Sequence, residues 1–172
     1  ADEITLLVEL TEDLAYGIKS FRARRAHARS EAMAQENEER FRETFNQAAV
    51  GIVHTAPLPD RHYLLVNQKF CDMVGYTIEE LKRMNGLQLS HPDDLDSDRG
   101  LEQRLIKGEI TTYASPKRYI RKDGGIIWVN RTVSLVRDNT GKPKYFIRVI
   151  EDITGRKEAE ERYRTIFDNA AV

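Results

Sequence analysis

A single cysteine, Cys71, stands among the 172 residues, so no internal disulfide can form and a thiolate zinc cluster lacks its ligands. No apolar run approaches the roughly 20 residues needed to span a bilayer, and no signal-peptide pattern follows Ala1. Charge of one sign is not in excess either. With 27 basic and 28 acidic side chains the net charge is −1, which gives no electrostatic reason to expect nucleic acid or a direct membrane contact. Catalytic signatures are missing as well. There is no Gly-rich phosphate loop, no nucleophile elbow and no metalloprotease motif. Asp93 and Asp94 are adjacent, and their side chains diverge at a helix start, which does not suit paired-carboxylate acid–base work. The expectation is a cytoplasmic, non-enzymatic chain without a metal.

What is present first is a repeat. Glu158 to Val172 (EAEERYRTIFDNAAV) repeats Glu36 to Val50 (ENEERFRETFNQAAV) at an offset of 122 residues. That period is too long for a solenoid unit of roughly 20–50 residues and suits tandem copies of a whole domain. Three segments are therefore expected: a leading helix and linker over 1–36, one complete domain over 37–157, and over 158–172 a linker helix with the start of a second copy. A domain of about 120 residues is large enough to hold its own core.

Between Asp2 and about Arg42 there is no proline and one glycine, Gly17. Ile4, Leu7, Thr11, Leu14, Ile18 and Phe21 recur at three- and four-residue steps, near the heptad spacing of a coiled coil. Left in water, each large side chain of such a stripe costs about 1.5–3 kcal/mol. The stripe predicts a homodimer, built as a C2 pair of helices. The basic run Arg22, Arg24, Arg25, His27, Arg29 has no interleaved aromatics and is balanced by Glu31, Glu36, Glu38 and Glu39, so it reads as a solvated face.

The central segment reads as an α+β domain. Gly51–Thr55 and Tyr63–Val66 form a hairpin with an irregular Pro57/Pro59 loop. Asn67 starts a helix through Phe70, Cys71, Met73 and Val74 that Gly75 ends. Thr77 and Glu80 make a capping box. Pro92, Asp93 and Asp94 begin the longest helix of the domain, running to Gly108. Strands follow over 112–121, 126–137 and 144–152, with turns at Lys122–Gly125 and Asp138–Gly141. Five antiparallel strands with helices on one face result.

These residues also carry a family resemblance. Asn67-Gln68-Lys69-Phe70-Cys71-Asp72-Met73-Val74-Gly75-Tyr76 resembles the N-x-x-F-C-x-x-x-G-Y segment of PAS domains, and His91-Pro92-Asp93-Asp94 their H-P-D-D helix start. Tyr119 to Gly124 with Trp128-Val129 resembles the R-K-D-G-x-x-x-W-V hairpin of the associated C-terminal (PAC) motif, and Asp152-Ile153-Thr154 the terminal D-I-T. The motifs occur in order across about residues 37–157. The stretch EITLLVELTEDLAYGIKSFRAR resembles the last helix of a GAF domain. The resemblance implies the PAS fold, a helix-lined cavity, and signal transduction in a sensor with two-component or cyclic-dinucleotide output, such as a histidine kinase, from another domain. Adjacent domains of the same chain are then partners, reached through the flanking helices.

It also frames the cofactor question. Haem-binding PAS domains of the oxygen-sensing type carry a ligand His in the long helix, and residues 94–109 contain none. Light-sensing flavin PAS domains carry N-C-R-F-L-Q, which is absent here. Haem and flavin are disfavoured, and a ligand-free dimerisation spacer stands as a further alternative. His91 reads as a loop residue at a helix entry, Cys71 as a small buried hydrophobe. By analogy with the family, Asp152 and Thr154 tie the last strand to the outgoing helix and relay the signal; an acid and a hydroxyl suit a helix start.

The ligand site is expected between helices and sheet, lined by Phe70, Met73, Val74, Leu101, Leu105, Val129 and Val133. Strand alternation places Arg131 on the core face among Ile127, Val129, Val133 and Leu135. Closure of the hairpin through Asp138–Gly141 sets Arg148 opposite Arg131. Two like charges there require neutralisation. A small anionic ligand such as a carboxylate is one answer. An ion pair with Asp72, Asp96 or Asp98, or snorkelling to the rim, is the other.

Overall fold

The computed structural model describes the backbone of residues 2–170, and side chains for residue 14 and residues 16–168. Two compact units divide the chain, Ala1–Thr44 and Phe45–Val172.

The first unit is helical. It is the larger part of α1 (Asp2–Gln47), which runs past residue 36, the expected end of the leading segment. Leu14, Ile18 and Phe21 are exposed, as are Tyr16 and Met33. The side chains of Ile4 and Leu7 lie outside the described residues. Pairs four residues apart, Glu36–Arg40 and Glu38–Arg42 at 2.9 Å, decorate the polar surface, each contributing a few tenths of a kcal/mol.

The second unit carries a five-stranded antiparallel sheet. β1 (Gly51–Thr55) and β2 (Tyr63–Val66) form the first hairpin, and β3 (Thr112–Ile120), β4 (Ile126–Arg137) and β5 (Pro143–Asp152) form a meander. The strand order is β2-β1-β5-β4-β3, so β5 returns to pair with β1. Short helices α2 (Gln68–Val74) and α3 (Ile78–Lys82) follow β2, and α4 (Arg99–Lys107) precedes β3. The outgoing helix is α5 (Thr154–Ala170).

Local chemistry sets the helix ends. Gly75, at φ 81°, closes α2 in the left-handed region that glycine tolerates. Thr77 and Glu80 form the expected reciprocal cap of α3. Asn67 is fully buried and satisfies four partners. Its Oδ1 accepts from the Phe70 and Ile52 N–H groups, and its Nδ2 donates to the Phe45 and Val50 carbonyls. That side chain joins the last turn of α1, the first strand and α2.

The expected long helix from Pro92 to Gly108 is divided. Pro92–Asp94 form one 3₁₀ turn and α4 begins only at Arg99. Instead of complementing a helix dipole, Asp94 takes the backbone N–H of Arg118 at 2.8 Å and its guanidinium at 2.7 Å. Ser97 Oγ bonds back to the Asp94 carbonyl. Docking to β3 holds this turn apart from α4.

The β4–β5 register is also corrected. Val133, not Arg131, lies opposite Arg148, and Arg131 lies opposite Ile150. The loop takes in Lys142, whose carbonyl accepts from Asp138 N–H, and a bulge between Val136 and Arg137 absorbs one more residue. The shift of two preserves the face and makes the arginines diagonal neighbours.

Candidate functional site

The residues expected to line one apolar cavity fall into two packed groups. Phe70, Met73, Val74 and Val129 belong to a cluster with Val53, Leu81, Leu89 and Ile150. Leu105 and Val133 belong to another with Tyr113 and Phe146, and Leu101 packs on its edge. The two groups have no member in common. Gly51 shows how tight the first group is, because a Cβ there would stand 2.9 Å from the Phe70 ring.

Between the two groups the interior is ionic. Arg131 on β4 and Arg148 on β5 point inward and are 8% and 7% exposed. Arg131 meets Asp98, which immediately precedes α4. Arg148 lies 3.5 Å from Glu102, one helical turn further on. Each carboxylate has a second cation. Lys117 of β3, 2% exposed, lies 3.2 Å from Asp98, and Arg61 from the β1–β2 loop lies 2.8 Å from Glu102. Of the acids expected as partners, Asp98 takes part. Asp72 instead accepts from Gln68, and Asp96 pairs with Arg99. Glu102, Arg61 and Lys117 were not anticipated.

Four cations thus share two carboxylates, and burial bears on the ionisation of Asp98, Lys117 and Arg148. Burial pushes the Asp98 carboxyl up, but Arg131, the Ser115 hydroxyl and Lys117 outweigh it and hold it below the usual range. Burial and the neighbouring Arg131 pull Lys117 and Arg148 down. Burial drives the Tyr113 phenol up to about 12. Arg148 also packs over the Phe146 ring at 4.9 Å.

A cavity of about 20 Å³ adjoins this cluster, lined by Val53, Thr55, Arg61, Tyr63, Tyr119, Arg131, Arg148 and the Gly86–Leu87 backbone turn. It has room for about one water. Outside it lies an open groove of about 350 Å³ between Pro59, Leu95 and α4, into which Asp98, Glu102, Lys117 and Arg131 also face. Arg61 and Leu87 line both. Arg61 adopts φ 53°, a left-handed conformation uncommon for a residue with a side chain. Its carbonyl accepts from Gly86 N–H at 3.1 Å, which fixes the loop so that its guanidinium reaches Glu102.

On the opposite face of the sheet, β4 meets the outgoing helix. Trp128 N–H donates to Thr154 Oγ1 at 3.0 Å and the Trp128 carbonyl accepts from Ile153 N–H at 2.9 Å. Asp152 Oδ1 accepts from Thr154 N–H at 2.9 Å. Lys157 of α5 lies 5.9 Å above the indole. Cys71 is buried, with its thiol pushed up to about 11 by burial and Asp72. His91 caps the 3₁₀ turn by accepting from Asp93 N–H, and His54 stacks on Tyr145 at 4.8 Å. Among the described residues no group of three or more His, Cys, Asp or Glu is arranged to hold a metal, and no helix is long and apolar enough to cross a membrane.

The strand order, the division between helices and sheet, and the Asp152–Thr154 junction define a PAS-type sensor module. The family model described as PAS fold matches residues 63–150, and the chain belongs to that family. It is 37% identical over 142 residues to the probable diguanylate cyclase DgcE of Escherichia coli (strain K12), covering 83% of this chain and 12% of that protein. It is 30% identical over 125 residues to the sensor histidine kinase TmoS of Ectopseudomonas mendocina, covering 73% of this chain and 13% of the relative. Among solved structures, the PAS domain of a Colwellia psychrerythraea protein superposes with a TM-score of 0.61 at 17% identity, over 68% of this chain and 97% of that one. The chain is a PAS signalling sensor domain, and it spans a small part of the curated relatives it matches.

Proposed function

We propose that this domain relays a ligand- or partner-induced change from its interior to α5, and through α5 to an output domain of a multidomain bacterial-type signalling protein. The observation that supports this reading is the double role of β4. The same strand carries Arg131 into the buried ion cluster and Trp128 into hydrogen bonds with the first residues of α5. A rearrangement of the cluster that shifts β4 is therefore delivered to the helix start. The parent's enzyme, whether a cyclic-dinucleotide cyclase or a histidine kinase, acts elsewhere in the protein, and the module works in the cytoplasm. Asp152 and Thr154 act as positioning residues of the joint. Replacing Asp152 with Ala in the parent protein is expected to uncouple output from stimulus while leaving the circular dichroism and melting of this domain nearly unchanged. Wild-type output from that variant would reject the relay.

Dimerisation belongs to the same reading. The exposed Leu14, Ile18 and Phe21, with Ile4 and Leu7 on the same sequence stripe, are proposed to pair with a second copy. Light scattering at micromolar concentration should give a dimer for the 172-residue chain and a monomer once residues 1–35 are removed. A monomer for the whole chain overturns the pairing. The small internal cavity favours one second reading, a ligand-free dimerisation spacer. Native mass spectrometry and calorimetry that detect no bound molecule under any stimulus condition would support it.

A further inference from the structure

Two guanidinium donors in the interior have no acceptor. Arg131 Nε and Arg148 Nη1 are fully buried without a hydrogen-bond partner, and so is the Thr55 hydroxyl beside them; Asp98 Oδ1 and Glu102 Oε1 are unmatched as well, but neither acid lines the recess that those three residues share. All three residues line the same recess. A buried donor left unmade costs about 1–3 kcal/mol, more when it is charged. The arrangement makes sense when something rich in acceptors occupies the space.

Charge points the same way. Arg131 and Arg148 each touch a carboxylate, but those two carboxylates, Asp98 and Glu102, are also engaged by Lys117 and Arg61. Pair by pair the cations look neutralised, and as a group they exceed the acids by two. Nearby acids do not close the gap. Asp94 is held by Arg118 and Asp96 by Arg99. A buried cluster with this surplus is poised for an anion. The recess alone admits about one water, but the groove outside it, about 350 Å³, lies within the range of small-molecule sites. Arg61 and Arg131 line both spaces. Arg61 comes from a loop and is part-exposed, so moving its guanidinium off Glu102 joins recess and groove.

We propose that recess and groove together form a binding site for a small dicarboxylate. One carboxylate takes the free donors of Arg131 and Arg148, one charge-assisted hydrogen bond from each guanidinium. The second lies in the groove against Lys117 and the displaced Arg61. The two negative charges match the surplus of two. This site deepens the relay reading and rests on it, since Arg131 stands on the strand that holds α5.

Titration calorimetry on the 172-residue chain tests the site, with succinate as probe and butyrate and sulfate as controls. Succinate is expected to bind one per chain with Kd below about 1 mM, and butyrate about tenfold or more weaker. Arg131→Gln and Arg61→Gln should each raise the succinate Kd by about tenfold or more. Arg61→Gln is the safeguard should the interior variant fold poorly, because it leaves Arg148 on Glu102. Asp152→Ala should leave the succinate Kd unchanged, so a failed relay and a failed site give different results. Absence of succinate heat from folded protein overturns the proposal. Sulfate binding as tight as succinate overturns the dicarboxylate assignment, and succinate binding unaffected by either arginine variant overturns the location.

Discussion

Around Phe70 the interior is closed by shape, whereas beneath the start of α4 it is closed by charge. The first region packs Phe70, Val74, Leu81 and Val129 with no exposed surface and no room for a Cβ on Gly51. The second packs Arg131, Arg148, Lys117, Asp98 and Glu102 at a similar depth, yet leaves donors unmatched and a cavity beside them. Apolar contacts contribute stability whatever the surroundings hold, in proportion to area removed from water. Buried charges contribute only while their partners stay in place. One half of the domain is thus held by contacts that need no partner, and the other by charges that do.

The largest loss of stability is expected in the apolar half. Phe70→Ala should cost about 3–5 kcal/mol in urea unfolding followed by the fluorescence of Trp128, the only tryptophan. A cost under about 1 kcal/mol would mean that this region is not the stabilising one. Glu102→Ala strands Arg148 and Arg61 without their acid, and a loss of about 3 kcal/mol is expected. Succinate should recover part of that loss, and no ligand should recover any for Phe70→Ala. Gly51→Ala forces a methyl against the Phe70 ring, and about 2 kcal/mol is expected for such overpacking. An unchanged midpoint would show that Phe70 can move aside.

Acidification gives the mildest effect and separates the halves by pH. Asp98 is held below the ordinary carboxylate range, burial being outweighed by Arg131, Ser115 and Lys117; Asp94 is held below it by its bonds to Arg118. A depressed folded pKa stabilises fully above the unfolded value of about 3.9 and is lost as pH falls through the folded value. Stability from these two groups should therefore be flat between about pH 7 and 5 and fall below about 4. In Asp98→Asn that acid-limb slope should be shallower than in the parent chain, and an identical slope would remove Asp98 from the account.

Features that depend on a few consecutive residues were legible in the sequence. The Asn67 start of α2, its Gly75 end and the Thr77–Glu80 box each use local chemistry, and they are found where expected. Period-two alternation also put Arg131 and Arg148 on the buried face. What was not legible lies far apart in the chain. The 92–108 segment has good helical signals throughout, and it divides because Asp94 is captured by Arg118, 24 residues away. Glu102 reads as an ordinary solvent-facing acid until Arg61, 41 residues earlier, is brought to it. Lys117 alternates onto the core face of β3, so a strand-by-strand test for buried charge would have found it. The β4–β5 register differs by two because one extra loop residue, Lys142, and one bulge residue carry no sequence mark of their own.

Asn67 has a mechanical consequence. A single amide with every donor and acceptor engaged grips the Phe45 and Val50 carbonyls on one side and Ile52 and Phe70 N–H groups on the other. The three residues between α1 and β1 are thereby stiffened into a rigid bracket, not a slack tether. In the relay proposed above, a twist of residues 45–47 is passed to β1 through these four bonds. β1 is hydrogen-bonded to β5, and β5 to β4. Asn67 therefore ties residues 45–50 to β1, and β1 is linked through β5 to β4, the strand whose Trp128 holds the first residues of α5.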